Sequence, residues 1–362
     1  AVAGSHGKTT TTAMIAWTLV ALGADPSFII GGTPANLGVN AHAGGGSALV
    51  IEADEYDRMF LGLKPRLAVV TNVEHDHPDC YPLAEDFYQA FAAFSREIQP
   101  QGTLLACGDD AGAARLLAEA RNYGTQAQAY GIDAGELAYR AENLSVNALG
   151  GFTFDATCSL PTGFELRPAA QLQVPGRHNV LNALAALATA HQLGYSAAQA
   201  GSALGSFQGT GRRFEVRGEA DGILVIDDYA HHPTKIRATL AAAHQRYPGR
   251  RIWAVWQPHT YSRTRLLLAE FAAAFDQADE VVVTAIYPAR EPAPADNFSA
   301  QQVVTAMHHK RAHYVPELVQ TTAYLLGRLR SGDVLVVMSA GDADQVSSHV
   351  LAALHERSDE NV

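Results

Sequence analysis

Strand-like and helix-like segments take turns along almost the whole of this 362-residue chain, and that alternation restricts the fold more than any other feature. Short apolar runs at 1–3, 48–51, 67–71 and 103–106 are separated by segments with helical spacing of apolar residues at 8–22, 83–98 and 111–121. Parallel strands need a crossover of about a dozen residues or more, usually a helix, so this order predicts a mostly parallel sheet with helices on its faces. Between 137 and 174 the pattern changes to short alternating strands broken by Gly150-Gly151 and Pro161-Thr162-Gly163, which reads as a small antiparallel excursion. Pro175-Gly176 then opens a long helix over 179–193. A second series follows Gly209-Thr210-Gly211, with strands at 223–227, 252–256, 280–284 and 334–338 and helices at 234–247, 264–275, 300–308 and 318–329. The chain is therefore read as α/β, with one domain at 1–211 and a second, Rossmann-like α/β domain at 212–362.

The first strand and first helix are joined by Gly4-Ser5-His6-Gly7-Lys8-Thr9-Thr10. Glycines let backbone amides approach oxyanions, and the helix N-terminus adds partial positive charge. Lys8 can then reach β- and γ-phosphates and Thr9 can ligate Mg²⁺, although the spacing Gly-x-x-Gly-Lys-Thr is two residues shorter than the usual phosphate loop. The strand at 48–51 runs into Glu52-Ala53-Asp54-Glu55, and the strand at 67–71 into Asn72-Val73-Glu74-His75-Asp76-His77. In an open parallel sheet ligands bind at the carboxyl ends of strands, and acid-rich ends beside a phosphate loop suit magnesium-assisted phosphoryl transfer. Further on, Asn179 and Asn182 lie three apart on one helix face, where their amides can read a purine edge; N-capping by Asn179 explains the first equally well.

Three features of composition narrow the class of function. A formal charge of −11 argues against a protein devoted to holding nucleic acid or an anionic membrane, while leaving a small anionic ligand open. Cys80, Cys107 and Cys158 are too few and too scattered for a disulfide framework or a thiolate metal site, which fits a reducing, cytoplasmic setting. The apolar stretch 13–24 is too short to cross a bilayer. In the second domain, Arg212-Arg213 at the junction is suited to bidentate phosphate contact. The strand end Asp227-Asp228-Tyr229-Ala230-His231-His232 offers a carboxylate for a ribose at Asp228, a ring for a base at Tyr229 and a histidine for a substrate anion. The next strand ends in Gln257-Pro258-His259-Thr260-Tyr261-Ser262-Arg263, again polar and cationic, whereas His308-His309-Lys310 sits at a helix end and needs no function.

Taken in order, GSHGKTT, EADE, NVEHDHPD, GRHNVLNA, GRRFE, DDYAHHPT and QPHTYSRT span residues 4 to 265, and in this the chain resembles the Mur ligases of peptidoglycan synthesis. The last two motifs favour the branch that adds L-alanine to UDP-N-acetylmuramate. The resemblance implies a P-loop central ATPase domain at 1–211 and a C-terminal domain at 212–362 that docks the amino acid, with the family's N-terminal uridine-nucleotide domain absent from this chain. It implies ATP and Mg²⁺ as cofactors and small molecules as partners, and it leaves oligomeric state undefined. It further implies an acyl phosphate made from the muramate carboxylate and the ATP γ-phosphate, with Lys8, His77 and Arg213 as catalytic residues. Thr9 and Glu52 would hold one metal and His77 a second. The loop residues 4–10, Asn179, Asn182, Arg213, Asp228 and Tyr229 would bind the nucleotide, and His231, His259 and Arg263 the substrate.

Two departures from the family pattern stand out. Tyr56 follows EADE where many relatives have serine, and it also occurs in the murein-tripeptide-recycling ligase, which stands as an alternative beside a truncated nucleotide-binding module without catalysis of its own. The expected helix at 83–98 contains no lysine, so the carbamylated lysine of some sibling ligases has no candidate there.

Overall fold

The structure, a computed structural model, describes residues 1–360, and the chain divides into two compact units, Ala1–Gly211 and Arg212–Val362. The first unit opens with β1 (Val2–Ala3) and α1 (Lys8–Ala21), followed by β2 (Ser27–Ile29), β3 (Ala41–His42) and β4 (Leu49–Ile51). A kinked 3-10 segment at Tyr56–Gly62 leads to β5 (Leu67–Val70), α2 (Ala84–Arg96), β6 (Thr103–Cys107), α3 (Ala111–Asn122) and β7 (Gln126–Gly131). Strands β8 (Tyr139–Val146), β9 (Phe152–Cys158) and β10 (Glu165–Gln171) precede α4 (Arg177–Gln192) and α5 (Ala197–Gly205).

The seven-stranded sheet has the order β1-β5-β6-β7-β8-β9-β10. Pairing is parallel from β1 to β8 and antiparallel through β9 and β10, as the change of pattern after residue 137 implies. Successive residues of a strand face opposite sides, so β5 sends Val69 to one layer and Ala68 and Val70 to the other. On the first side Val69 meets Met14 and Leu19 of α1 with Leu184 and Leu187 of α4. On the second, Val70 meets an aromatic layer of Phe87, Phe91 and Phe94 from α2, backed by Phe60.

One expected strand belongs elsewhere. The run at 48–51 does contain β4, but it pairs with β2 in a separate three-stranded sheet ordered β3-β2-β4, and an isolated bridge between Val2 and Glu52 is its link to β1. An inner strand of a doubly covered sheet is buried on both faces, whereas β4 buries Val50 and leaves Leu49 58% exposed. The consequence is useful: Glu52 still arrives beside the phosphate loop.

The second unit contains β11 (Glu215–Ala220), β12 (Ile223–Asp228), α6 (Pro233–Arg246), β13 (Ile252–Gln257), α7 (Tyr261–Leu266) and α8 (Leu268–Ala272). It continues with β14 (Glu280–Val283), α9 (Ala300–Ala306), β15 (Ala312–Tyr314), α10 (Leu318–Leu326), β16 (Val334–Ser339) and α11 (Asp344–Glu360). Its sheet, β11-β12-β16-β13-β14-β15, is parallel except for the antiparallel pair β11 and β12. The single helix expected over 264–275 is two short helices that meet at Leu267, whose φ of −103° breaks the helical path. Every residue of β12, β13 and β16 is buried, and their carboxyl ends lie side by side.

Candidate functional site

The phosphate loop is shaped by backbone that only glycine adopts readily. Gly4 has φ 141°, and a Cβ there would lie 2.0 Å from Thr71 Oγ1; Gly7 has φ 80°, and its Cβ would lie 2.9 Å from Asn182 Oδ1. The end of β5 clasps the loop. Thr71 Oγ1 donates to the His6 carbonyl at 2.5 Å, and Asn72 accepts the His6 N–H at 2.8 Å while donating to the same carbonyl at 3.1 Å. Ser5 Oγ donates to the Glu74 carbonyl at 2.6 Å and accepts the Glu74 N–H at 2.9 Å, and His6 Nε2 lies 2.7 Å from Glu74 Oε2. Asn72 and Glu74, read from sequence as part of an acid-rich ligand end, are thus loop supports. Helix α1 begins at Lys8 with no acidic residue in its first turn, so nothing there competes with an anion for the helix N-terminus. Thr10 stands in that first turn, partly exposed.

Two predicted metal residues meet directly. Thr9 Oγ1 donates to Glu52 Oε1 at 2.8 Å, and Glu52 Oε2 accepts the Gly31 N–H at 2.6 Å. A hydroxyl and a carboxylate are the hard oxygen donors that Mg²⁺ takes, so these residues fit that ion. The third metal candidate, His77, is placed by Glu55, which sequence reasoning left without a role. Glu55 is fully buried; Lys8 Nζ lies 2.8 Å from its Oε1 and 2.6 Å from its Oε2, and His77 Nε2 lies 3.5 Å from Oε1. Burial pushes a carboxyl up, but the Lys8 ammonium and the His77 imidazole outweigh it and hold Glu55 at about 2. Lys8 also donates to the Gly4 carbonyl at 2.5 Å. Tyr56, the departure from the family pattern, meets the His77 ring edge-on at 5.1 Å and donates to Asp79 Oδ2 at 2.9 Å. A run with carboxylates at three of four positions does not reveal which one turns inward, and that is why Glu55 was missed.

Asn179 and Asn182 are both 6% exposed and face each other, Asn182 Nδ2 donating to Asn179 Oδ1 at 3.0 Å. Asn182 Oδ1 accepts from Thr11 at 3.0 Å, behind the loop, and Asn179 Nδ2 donates to the Pro175 carbonyl at 2.7 Å. The N-cap of α4 is Gly176 and not Asn179, which removes the capping explanation for the pair.

In the second unit the carboxyl ends of β12 and β13 gather the remaining candidates. Asp228 is 8% exposed and accepts the Phe214 N–H at 2.7 Å; burial raises its carboxyl and the Arg213 guanidinium opposes the rise. The Arg213 guanidinium lies 4.8 Å and that of Arg212 5.2 Å from the centre of the Tyr229 ring. His231 stands edge-on to Tyr229 at 5.1 Å, accepts from Lys235 Nζ at 3.4 Å through Nε2, and is 5.8 Å from the ring of His259. Arg263, 3% exposed, donates to His259 Nδ1 at 3.0 Å, and Tyr287 stacks on His259 at 5.8 Å. The three residues proposed from sequence as contacts for substrate anions or alanine, His231, His259 and Arg263, therefore form one contiguous cluster, to which Lys235 and Tyr287 are additions that no linear pattern announced.

The Mur ligase middle domain matches residues 2–190, and the domain described as Mur ligase, glutamate ligase domain, matches residues 212–341. A UDP-N-acetylmuramate–L-alanine ligase from Renibacterium salmoninarum is 44% identical over 354 residues, which cover 98% of this chain and 74% of that protein. Among solved structures, a UDP-N-acetylmuramate-alanine ligase from Thermotoga maritima gives a TM-score of 0.79 at 29% identity, covering 98% of this chain and 75% of the other. A murein peptide ligase from Psychrobacter arcticus gives 0.69 at 27% identity, covering 98% and 76%.

Proposed function

The chain belongs to the Mur ligase family, and from that premise we propose that it is an ATP-dependent amide ligase joining L-alanine to the carboxylate of UDP-N-acetylmuramate. We read Ala1–Gly211 as the ATP-binding domain and Arg212–Val362 as the domain that docks the amino acid. The observation that carries the catalytic reading is the convergence on one loop of Lys8, the Thr9–Glu52 pair and the buried Glu55 that reaches His77. From ATP as co-substrate we infer a cytoplasmic reaction.

A carboxylate does not condense with an amine at neutral pH without activation. One carboxylate oxygen attacks the γ-phosphorus, ADP leaves, and an acyl phosphate forms. The alanine nitrogen then attacks the acyl carbon, gives up a proton, and inorganic phosphate leaves with the C–O bond electrons. Little covalent work falls to the protein, so its share is positioning and charge. The loop 4–10 supplies backbone N–H groups and Lys8 the cation for the β- and γ-phosphates. Thr9 and Glu52 would hold one Mg²⁺ and His77 a second, and the ions would supply positive charge against the developing negative charge of phosphoryl transfer. Asn179 and Asn182 are the proposed adenine contacts, Asp228 the ribose contact, Tyr229 the ring beside the base and Arg213 the γ-phosphate contact. His231, His259 and Arg263 form the proposed anion site for the substrate carboxylates.

Phosphate release by the full-length polypeptide tests this reading, measured with ATP, UDP-N-acetylmuramate and a panel of amines. L-alanine should support release and the murein tripeptide should not; the reverse order would assign the recycling reaction that Tyr56 suggests. Lys8→Ala should lower release by roughly 10³-fold or more, given what removing a preorganised charge from a phosphoryl-transfer site does. Near-normal turnover in that variant would remove the loop from the mechanism.

A further inference from the structure

Glu55 sits where the nucleotide half and the metal half of the site meet, and no step of the mechanism above uses it. Its carboxylate carries Lys8 on both oxygens, at 2.8 and 2.6 Å, and His77 on one, at 3.5 Å. Its own backbone is pinned as well, because Tyr81 donates its hydroxyl to the Glu55 carbonyl at 2.5 Å and the Tyr81 ring is fully buried. A buried ion pair contributes little net stability, since desolvation offsets attraction, and an apolar pair of equal size often serves as well. What a buried charge does supply is a fixed direction. Lys8 is held along the loop between the Gly4 carbonyl and Glu55, and His77 is held with Nε2 towards the same carboxylate.

We propose that Glu55 is a positioning residue that couples the two halves: one buried carboxylate sets where Lys8 waits for phosphate and which way His77 faces. An incoming phosphate competes with Glu55 for the Lys8 ammonium. As Lys8 turns to the phosphate, the carboxylate loses its nearest counter-charge while it remains beside His77, and the local potential there becomes more favourable to a divalent cation. Nucleotide binding thereby prepares the cation site at His77.

The inference rests on the reading of Lys8 and His77 given above, and the test separates the two. Glu55→Gln keeps size and an acceptor oxygen but removes the charge. In the full-length protein, binding of ATP without metal should stay within about two-fold of the wild type or tighten, because the Lys8 cation loses a competitor. Binding of Mn²⁺ in the presence of ATP, followed by its electron paramagnetic resonance signal, should weaken roughly ten-fold, the size of effect a neighbouring buried charge produces. Glu55→Asp, which keeps the charge but draws it back, should weaken Mn²⁺ less than Glu55→Gln, and it carries the same comparison if the glutamine variant does not fold. Equal losses of ATP and Mn²⁺ binding would mark a merely structural residue and overturn the coupling, as would Mn²⁺ binding that does not change. A wild-type protein that binds ATP but no Mn²⁺ would overturn the metal reading of His77 and the coupling with it.

Discussion

Two buried carboxylates of this chain titrate in opposite directions, and their neighbours explain why. Glu55 has a lysine and a histidine against it and is held at about 2 despite burial. Asp227 is 1% exposed; burial lifts it to about 6, with Arg212 opposing and Asp344 and Asp228 adding to the rise. Arg212 Nε is 3.9 Å from Asp227 Oδ2, too far for a hydrogen bond, and among the described residues neither Asp227 oxygen has a hydrogen-bond partner. A folded-state value above the unfolded 3.8 means that the folded chain holds this proton more tightly. Its contribution to stability is therefore fully present below pH 3.8 and is lost as pH rises through about 6. Asp227→Asn should raise stability by up to about 3 kcal/mol at pH 7.5 and change it far less at pH 4. Urea unfolding at the two values checks this, and an equal gain at both would show that the charge is not the cause. The Glu55 contribution runs the other way, present above the ordinary carboxylate range and lost only as pH falls towards 2. At this scale the sequence singles out Lys8, Thr9, Glu52 and His77 as candidates, and the structure brings Thr9 to Glu52 and both Lys8 and His77 to Glu55. The sequence was silent on Glu55 and Asp227, whose behaviour depends on burial and on partners far away in the chain.

The elements tell a similar story with a different cause. Strand β1, helix α1 and strand β5 were readable because apolar runs and a glycine-lysine turn each have a local signal. Of the small sheet β3-β2-β4 only β4 was readable, from the apolar run at 48–51, because β2 and β3 are three and two residues long and lie in no apolar run that stands out from its surroundings. Nor was the break between α7 and α8 readable, since apolar spacing continues across it. The phosphate loop depends on an element outside itself, the end of β5, which meets it through Thr71, Asn72 and Glu74. Gly4→Ala should fail at that contact, because the new Cβ would lie 2.0 Å from Thr71 Oγ1 on a backbone with φ 141°. The expected cost is about 1–3 kcal/mol in stability, with loss of nucleotide binding beyond that from loop displacement. Thermal unfolding with and without ATP reads both, and a variant still stabilised by ATP as much as the wild type would contradict the clasp.

For the molecule as a whole, each unit has its own hydrophobic layers on both faces of its sheet. In the second unit Trp253 and Trp256 are 2% and 0% exposed, on opposite sides of β13. A polypeptide of residues 212–362 alone should therefore fold, with buried tryptophan emission lost in one cooperative urea transition. A gradual red shift without a transition would show that this core does not stand by itself. No helix among the described residues is long and apolar enough to cross a membrane. The overall charge of −11 coexists with cations set at the proposed anion contacts, Lys8 at the loop and Arg213 and Arg263 in the second unit.

The clasp by β5 also bears on transplantation. Anyone grafting the GSHGKTT turn into another scaffold would obtain a sequence without its mould, since Thr71 and Asn72 fix the path of His6 from more than sixty positions downstream. The smallest unit that can be moved is a pair of segments, 4–10 together with 71–74, and a library that varies one must vary the other.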